Sequence, residues 1–243
     1  MEKMERVPTG IKGLDELMDG GFPAGTVNLV SGPAGSAKSL LGMHYIYNGA
    51  LMHGDNGIYI TLEEPRKNIL RAMLAYNMEI ERLEKEGKLY LIDLSEMRRL
   101  SKNVTVEEAI VGFKPLQDML EHLLEFSKAK RLCIDSLTAI GLHYGDDVSA
   151  FRRDLFRFVA FLRSTGITSL LITEAAEGEG LTRFGVEQFV ADSFIYLGLE
   201  ESMGELRRTI TIRKMRFTRH DTAKHPIIID SSGLNVSAET KVF

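Results

Sequence analysis

The stretch Ser31-Gly32-Pro33-Ala34-Gly35-Ser36-Ala37-Lys38-Ser39 decides the fold. It lies between an apolar run at Thr26–Ser31, which predicts a strand, and a predicted helix from about Lys38 to Met52. Glycines allow a chain to curl so that its N–H groups point inward, and the start of a helix adds a favourable dipole for an anion. Strand, glycine-rich turn and helix in this order predict a loop that binds the phosphates of a nucleotide.

The residue types in this loop follow the pattern G-x-x-x-x-G-K-[ST] at every defined position but one. Lys38 is expected to reach the β- and γ-phosphates, and the hydroxyl of Ser39 suits Mg²⁺. Ala37 replaces the second glycine; we expect it at an ordinary helical φ, with its methyl group beside the phosphates and weakening binding. The predicted nucleotide-binding residues here are Gly35, Ser36, Ala37, Lys38, Ser39 and Leu40.

Strands and helices alternate on the C-terminal side of this loop. Apolar runs predict strands at Gly57–Leu62, Lys88–Asp93, Arg131–Ser136 and Thr168–Glu174, with helical segments between them. From about Asp192 the pattern changes to strands and turns. The sequence therefore predicts one α/β domain over residues 1–243, with a mostly parallel central sheet, flanking helices and a C-terminal antiparallel β extension.

Composition excludes several classes of protein. The 243 residues include 34 acidic and 30 basic side chains, a net charge of −4, so a general nucleic-acid-coating surface is not expected. No run approaches the ~18 apolar residues of a membrane span, and the N-terminal residues lack a signal-peptide run. The one cysteine, Cys133, has no partner for an internal disulfide. We expect a cytoplasmic protein that does not bind membranes.

Carboxylates follow two of the predicted strands. Asp135 ends an apolar strand, and because ligands lie at the carboxyl edge of a parallel sheet, we expect it to face Mg²⁺ through water. A turn or helix cap is the alternative for this residue. Glu63 and Glu64 follow the predicted strand Gly57–Leu62, and one of them is expected to orient a water for attack on the γ-phosphate. The alternative is a charge pair before the helix that starts near Pro65.

Two cations lie near the end of the alternating run RRTITIRKMRF. A period of two puts Lys214 and Arg216 on one face of the strand and Met215 on the other. Two cations at fixed spacing suit a triphosphate, held either by the same chain or by a neighbouring one. A solvated edge strand protected by charges is an equally good explanation of the spacing.

Seven segments together resemble a known family: VPTGIKGLDELMDGGFPAG, TLEEP, LCIDSLTAI, LLITE, FGVEQFVADSFIYL, RRTITIRKMRFTRH and HPIIID. With the glycine-rich loop, they occur in the order found in the RecA-like ATPases of the KaiC/RadA group. The resemblance extends from about Val7 to Asn235, and it includes the single-domain KaiC-like proteins of archaea. It implies a RecA-like P-loop fold, a homo-oligomeric ring, usually a hexamer, and ATP with Mg²⁺ held between neighbouring subunits.

The resemblance also implies roles for individual residues. Lys38 and Ser39 hold phosphate and magnesium, with Asp135 and Glu63 on the magnesium side; Glu63 accepts a proton and Glu64 supports it. The segment Lys214-Met215-Arg216 reaches the ATP of the next subunit, Arg216 as a catalytic cation. Its implied neighbours at that ATP are Thr218, His220 and Asp230.

Two departures limit what the resemblance implies. The chain has one phosphate-binding loop, whereas KaiC has two. In the region of residues 178–183, where the second half of KaiC carries an autophosphorylated Ser-Thr pair, Thr182 is the only hydroxyl, so autokinase activity is not expected.

Three functions remain open from the sequence. The favoured one is an oligomeric ATPase with sites between subunits. The second is a slow nucleotide switch whose ATP-bound ring docks an unknown protein partner. The third is a DNA-binding recombination accessory, suggested by a helix that carries Arg152, Arg153, Arg157 and Arg163 and disfavoured by the acidic loop at 176–183.

Overall fold

The architecture is a central sheet with helices on both faces, seen in a computed structural model that describes residues 4–95, 112–175, 180–202 and 204–242. The strands are β1 (Arg6–Val7), β2 (Phe22–Pro23), β3 (Val27–Gly32), β4 (Gly57–Thr61), β5 (Leu89–Asp93), β6 (Arg131–Asp135), β7 (Thr168–Glu174), β8 (Ser193–Ser202), β9 (Glu205–Met215), β10 (Lys224–Asp230) and β11 (Gly233–Val236). The strands β3 to β7 lie at the positions predicted from the apolar runs.

Helices connect the parallel strands and cover the sheet. They are α1 (Leu14–Leu17), α2 (Lys38–Met52), α3 (Arg66–Leu74), α4 (Ile80–Lys85), α5 (Phe113–Ser127), α6 (Leu137–Gly141), α7 (Val148–Thr165) and α8 (Glu187–Val190), with a 3₁₀ turn at Leu142–Tyr144. The α2 helix has the predicted bounds. Among the described helices, none has the length and apolar character needed to cross a bilayer.

The main sheet has nine strands in the order β11-β10-β9-β8-β3-β7-β6-β4-β5. The strands from β8 to β5 pair in parallel, and β9, β10 and β11 extend the sheet with antiparallel pairing. The predicted fold class is therefore confirmed.

One strand differs from the prediction. The antiparallel region was expected to begin at about Asp192, but β8 pairs in parallel with β3, from Asn28 opposite Ser193 to Ser31 opposite Tyr196. Its first half is buried like a core strand, because helices cover both faces of the sheet there. The antiparallel extension therefore begins only at β9.

Two hydrophobic cores flank the sheet. One packs α2, α3, α4 and the C-terminal strands against one face. The other packs α5 and α7 against the opposite face, where the ring of Phe113 lies 5.8 Å from that of Phe151 and 5.2 Å from that of Phe158. Burial on both faces explains why the central strands read as unbroken apolar runs.

A buried ion pair joins three parts of the chain. Arg131, fully buried on β6, donates through Nη2 to Asp55 Oδ2 at 2.8 Å. Its Nη1 donates to the carbonyl oxygens of Pro8 and Tyr45, and the guanidinium lies 5.1 Å from the centroid of the Tyr45 ring. Arg131 therefore ties the N-terminal segment, α2 and β6 together, a role that was not predicted from the sequence.

The sheet has two edges that matter for function. The P-loop edge is formed by the carboxyl ends of β3, β4, β6 and β7. The far edge is formed by the amino ends of β3 and β8, where β9 ends, because Met215 pairs with Ser193 and Ser193 with Asn28.

Candidate active site

The glycine-rich loop connects β3 to α2 at the P-loop edge, with Gly35 at a φ of 79° and Ala37 at a φ of 77°. The expectation that Ala37 has a helical φ is therefore wrong. The chain has to reverse its curl before α2 begins, and Ala37 already accepts the helical hydrogen bond from the N–H of Leu41 at 3.0 Å. A left-handed conformation is unfavourable for alanine by roughly 1–2 kcal/mol, whereas glycine adopts it freely.

Lys38 lies across the mouth of this loop. Its Nζ donates to the carbonyl oxygens of Gly32 at 2.8 Å and Pro33 at 2.9 Å. Burial lowers the pKa of the ammonium group, while the carboxylates of Glu174, Asp135 and Glu63 act to raise it. The acids that affect Lys38 thus come from the ends of three different strands.

Asp135 lies at the carboxyl end of β6, beside Ser39 at the start of α2. Its Oδ2 accepts a hydrogen bond of 2.6 Å from the hydroxyl of Tyr59. Burial raises the pKa of the Asp135 carboxyl, and hydrogen bonding with Ser39 and Tyr59 opposes that rise. Ser39, Tyr59 and Asp135 line one end of a cavity of about 580 Å³, which continues along α3 past Glu64 and Met73.

Glu63 and Glu64 both lie at the P-loop edge and face different neighbours. Glu63 Oε1 accepts a hydrogen bond of 2.6 Å from the hydroxyl of Ser136, and Glu63 is among the acids that affect Lys38. Glu64 lines the cavity, and its Oε1 accepts from Asn68 Nδ2 on α3 at 2.5 Å. Glu64 therefore also serves the start of α3, in line with the alternative considered for this pair.

Sequence reasoning missed three residues at this edge. Glu174 ends β7, and the strand-end rule that identifies Asp135 identifies it as well, because β7 pairs with β3. Tyr59 lies inside an apolar run, and nothing in the local sequence indicates its hydrogen bond to Asp135. Arg208 on β9 donates through Nε to the carbonyl oxygen of Gly35 at 2.8 Å, a contact that depends on strand order.

Lys214 and Arg216 lie together at the far edge, against the end of α8. Lys214 Nζ donates to the carbonyl oxygens of Gln188 at 2.9 Å and Ala191 at 2.6 Å. Arg216 Nη2 donates to the carbonyl oxygen of Phe189 at 3.2 Å. The two cations thus share one side of the chain, as the period of two predicts, and Met215 is buried in the core.

The P-loop of the same chain does not contact these cations. Arg208 on β9 touches Gly35, and Lys214 follows six residues later along the same strand. At about 3.3 Å per residue the separation is roughly 20 Å. One chain therefore carries the predicted phosphate-binding loop at one edge of its sheet and the predicted cations at the other.

The remaining predicted residues are also divided. Thr218 Oγ1 accepts a hydrogen bond from Arg6 Nη2, and His220 Nδ1 lies 3.4 Å from the carbonyl oxygen of Thr218, so both belong to the far edge. Asp230 lies at the opposite end of the extension, as the last residue of β10 before the turn to β11, and accepts from the N–H and hydroxyl of Ser232. These bonds hold the pKa of the Asp230 carboxyl low. Asp230 is not brought together with Lys214 and Arg216 in one chain.

Comparisons with known proteins identify the family to which this fold belongs. The family model described as "ATPase: KaiC" matches residues 7–241. The chain belongs to the KaiC family of ATPases. It is therefore an ATP-binding ATPase domain with the RecA-like fold, which confirms the resemblance seen in the sequence.

Individual KaiC relatives are similar along almost the whole chain. The crystal structure of a KaiC-like protein from the archaeon Pyrococcus horikoshii has a TM-score of 0.83 and 35% identity, covering 96% of this chain and 99% of that one. The circadian clock oscillator proteins KaiC of Nostoc sp. and Synechococcus elongatus are 34% and 32% identical, over 96% and 97% of this chain. Each is matched over 44% of its own length, so the chain spans less than half of these curated relatives.

The helix that suggested DNA binding in this KaiC-family chain is α7, and its arginines are largely paired with acids. Arg153 and Arg157 both approach Asp154, at 3.8 and 3.1 Å, and Arg163 pairs with Asp192 at 2.8 Å. These pairings weigh against a cationic face on α7 that is free for DNA.

The acidic loop considered above falls partly on residues 176–179, which lie outside the described residues. Beyond them, Thr182 is buried and donates to Gln188 Oε1 at 2.6 Å. The expectation of no autokinase activity stays a prediction.

Proposed function

We propose that this chain hydrolyses ATP at sites formed between neighbouring copies of itself in a hexameric ring. The supporting observation is that Lys214 lies roughly 20 Å along β9 from the chain's own P-loop, with Arg216 directly after the strand on the same side. A P-loop ATPase needs cations on the transferred phosphate, and a second copy that turns its far edge toward this P-loop would supply them.

Within that site, the P-loop and its lysine bind the triphosphate. Inward-facing amides of the loop hold the β- and γ-phosphates, and the ammonium group of Lys38 exchanges its bonds to Gly32 and Pro33 for phosphate oxygens. Arg208, bonded to the carbonyl oxygen of Gly35, holds the loop against β9.

The oxygen donors beside Lys38 fit magnesium. Ser39 and Asp135 offer a hydroxyl and a carboxylate, the hard ligands that this ion prefers. Within the described ranges no group of three or more His, Cys, Asp or Glu side chains could hold a metal by itself, so the nucleotide's phosphates would complete the ligand set, as is usual for Mg²⁺. Magnesium, when bound, neutralises charge that develops on the phosphates.

Glu63 acts as the proton acceptor in this proposal. A water attacks the γ-phosphorus, the bond from that phosphorus to the β–γ bridging oxygen breaks, and the proton of the water passes to the Glu63 carboxylate, leaving ADP and phosphate. The hydroxyl of Ser136, 2.6 Å from Glu63 Oε1, fixes the orientation of that carboxylate. Glu64 supports it from the cavity side.

Mixing variant subunits tests the shared site. Lys38→Ala chains lack a working P-loop and Arg216→Ala chains lack the far-edge cation, so each alone is expected to lose at least 100-fold in turnover. Mixed rings regain activity, because wild-type P-loops of one chain then face intact Arg216 of the other. Arg213→Ala, an exposed arginine on the same strand, is the control and keeps turnover. An absence of rescue at every mixing ratio would contradict shared sites.

Substitution of the proposed base provides a separate measurement. We expect Glu63→Gln to bind ATP normally and to lose roughly 10²–10⁴-fold in turnover, because general base catalysis is worth that much. ATP binding is measured by calorimetry and turnover by phosphate release. Full turnover in this variant would remove Glu63 as the base.

A slow switch is the second candidate, and the left-handed Ala37 favours it, because a strained loop binds phosphates less well. In this alternative the nucleotide state governs binding of a protein partner. Such a switch is consistent with the name of two relatives, circadian clock oscillator protein. A steady-state rate many orders of magnitude below the ~1–10³ s⁻¹ of typical enzymes would favour the switch.

A further inference from the structure

Phe217 is the most exposed of the large apolar side chains in the described part of the chain, with 92% of its surface accessible. It lies in the turn after β9, at a φ of 57°. Positive φ is rare for a bulky residue, and isolated exposure of an aromatic ring is unfavourable in water. The ring of Phe217 is therefore accessible to a partner outside this chain.

The turn that carries Phe217 is fixed on both sides. Before it, the N–H of Arg216 donates to the carbonyl oxygen of Asp192 at 3.0 Å, and the guanidinium of Arg216 lies 3.6 Å from the Asp192 carboxylate. After it, Thr218 accepts a hydrogen bond from Arg6. The backbone that carries the Phe217 side chain is therefore fixed at the far edge.

We propose that the ring of Phe217 stacks on the purine base of the ATP bound by the neighbouring subunit. This inference rests on the proposed function, in which Arg216 reaches the phosphates of that same nucleotide. A cation and an aromatic ring on consecutive residues match the chemistry of a nucleotide, which joins an anionic triphosphate to a flat π surface. Aromatic side chains stack on every base, so the contact adds affinity for the base.

Among the described residues that line the cavity at the P-loop edge, no aromatic ring is free to take this role. Tyr59, the aromatic side chain that lines the cavity beside Ser39, is buried and donates its hydroxyl to Asp135 at 2.6 Å. It is engaged in holding the carboxylate and does not offer its ring to solvent. A ring supplied by the next subunit would cover the base from outside.

The absence of tryptophan from the sequence allows a direct optical test. Chains with both Phe217→Trp and Lys38→Ala contain the only tryptophan of a mixed ring and do not bind ATP themselves. Added to wild-type chains, which hold the ATP, they are expected to show tryptophan fluorescence that ATP quenches and inorganic triphosphate does not. Phe126→Trp, at an exposed position on α5, is the control and shows no such quenching.

Kinetics with a base-free substrate provides the second readout. We expect Phe217→Leu to raise the KM for ATP roughly 5- to 100-fold and to leave the KM for ribose 5-triphosphate unchanged, because only ATP has a base to stack.

Unquenched tryptophan together with an unchanged KM for ATP would overturn the inference. Loss of assembly in Phe217→Leu would also overturn the inference, because the Phe217 side chain would then be a contact between subunits and not a contact with the base. Sizing of the wild type with ATP comes first, because failure of wild-type assembly is a failure of the proposed function itself.

Discussion

Ala37 shows how one residue tunes the phosphate-binding loop. Its backbone has the left-handed conformation that glycine adopts without strain. Its side chain is half-buried and packs against the hydrophobic core, so the expectation that the methyl group lies beside the phosphates is wrong. We expect Ala37→Gly to increase the free energy of unfolding by up to about 1 kcal/mol, since the relieved strain exceeds the added chain entropy of the unfolded state. ATP affinity is expected to rise several-fold. Urea denaturation and calorimetry measure the two effects.

The reverse change at the neighbouring glycine is the control. Gly35 has a φ of 79°, so Gly35→Ala introduces the same strain that Ala37→Gly removes. It should lower both stability and ATP affinity. Equal affinities in the wild type and in both variants would show that backbone strain does not limit binding.

Residue types predicted which side chains lie at the P-loop edge better than they predicted the conformation of the loop. Lys38, Ser39 and Asp135 were identifiable because a glycine-rich turn and a carboxylate at the end of a strand are recognised from neighbouring residues alone. The positive φ of Ala37 was not predictable, because the sequence gives the residue type and not its backbone angle. The bond from Tyr59 to Asp135 joins residues 76 positions apart, which no local pattern encodes.

At the scale of elements, a histidine fastens the last strand to the main helix. His44 on α2 is buried, and its Nε2 accepts a hydrogen bond of 3.0 Å from the N–H of Leu234 on β11. Burial lowers the pKa of His44 to about 4, although a hydrogen bond with Asn48 acts in the opposite direction. The imidazole must therefore be neutral for β11 to pack.

This geometry predicts a pH dependence of stability. The folded pKa lies below the unfolded value of 6.5, so between these values the unfolded state binds more protons and stability falls as the pH falls from about 6.5 to about 4. The full loss is about 3 kcal/mol. His44→Gln is expected to remove this slope in urea denaturation, while His53→Gln, at the exposed end of the same helix, should retain it. A slope that persists in His44→Gln would assign it to other groups.

Elements were predictable where their apolar pattern is local, and pairing was not. The bounds of α2 and β7 follow from periodicity and flanking turn residues. The parallel pairing of β8 with β3 depends on which strand lies next to β3 in the sheet, and a run such as SFIYLGL is compatible with either direction.

For the whole molecule, the Arg131–Asp55 pair holds the N-terminal segment to the sheet. We expect Arg131→Met to lower the free energy of unfolding by about 3–5 kcal/mol, because Asp55 loses a buried partner and the carbonyl oxygens of Pro8 and Tyr45 lose their donor. Lys130→Met removes the other cation on Asp55, 3.1 Å away and largely exposed, and should change stability by less than about 1 kcal/mol. Equal losses in the two variants would contradict a special role for the buried arginine.

The position of the far-edge cations has a consequence for how the protein would behave at different abundances. If the proposed function is right, a chain whose P-loop lies at one edge of the sheet and whose Lys214 and Arg216 lie at the other has no complete catalytic centre of its own. Under the proposed function, dilution would silence the enzyme without unfolding it, and output per chain would climb steeply as chains accumulate. Expression level would then act as a threshold for ATP consumption.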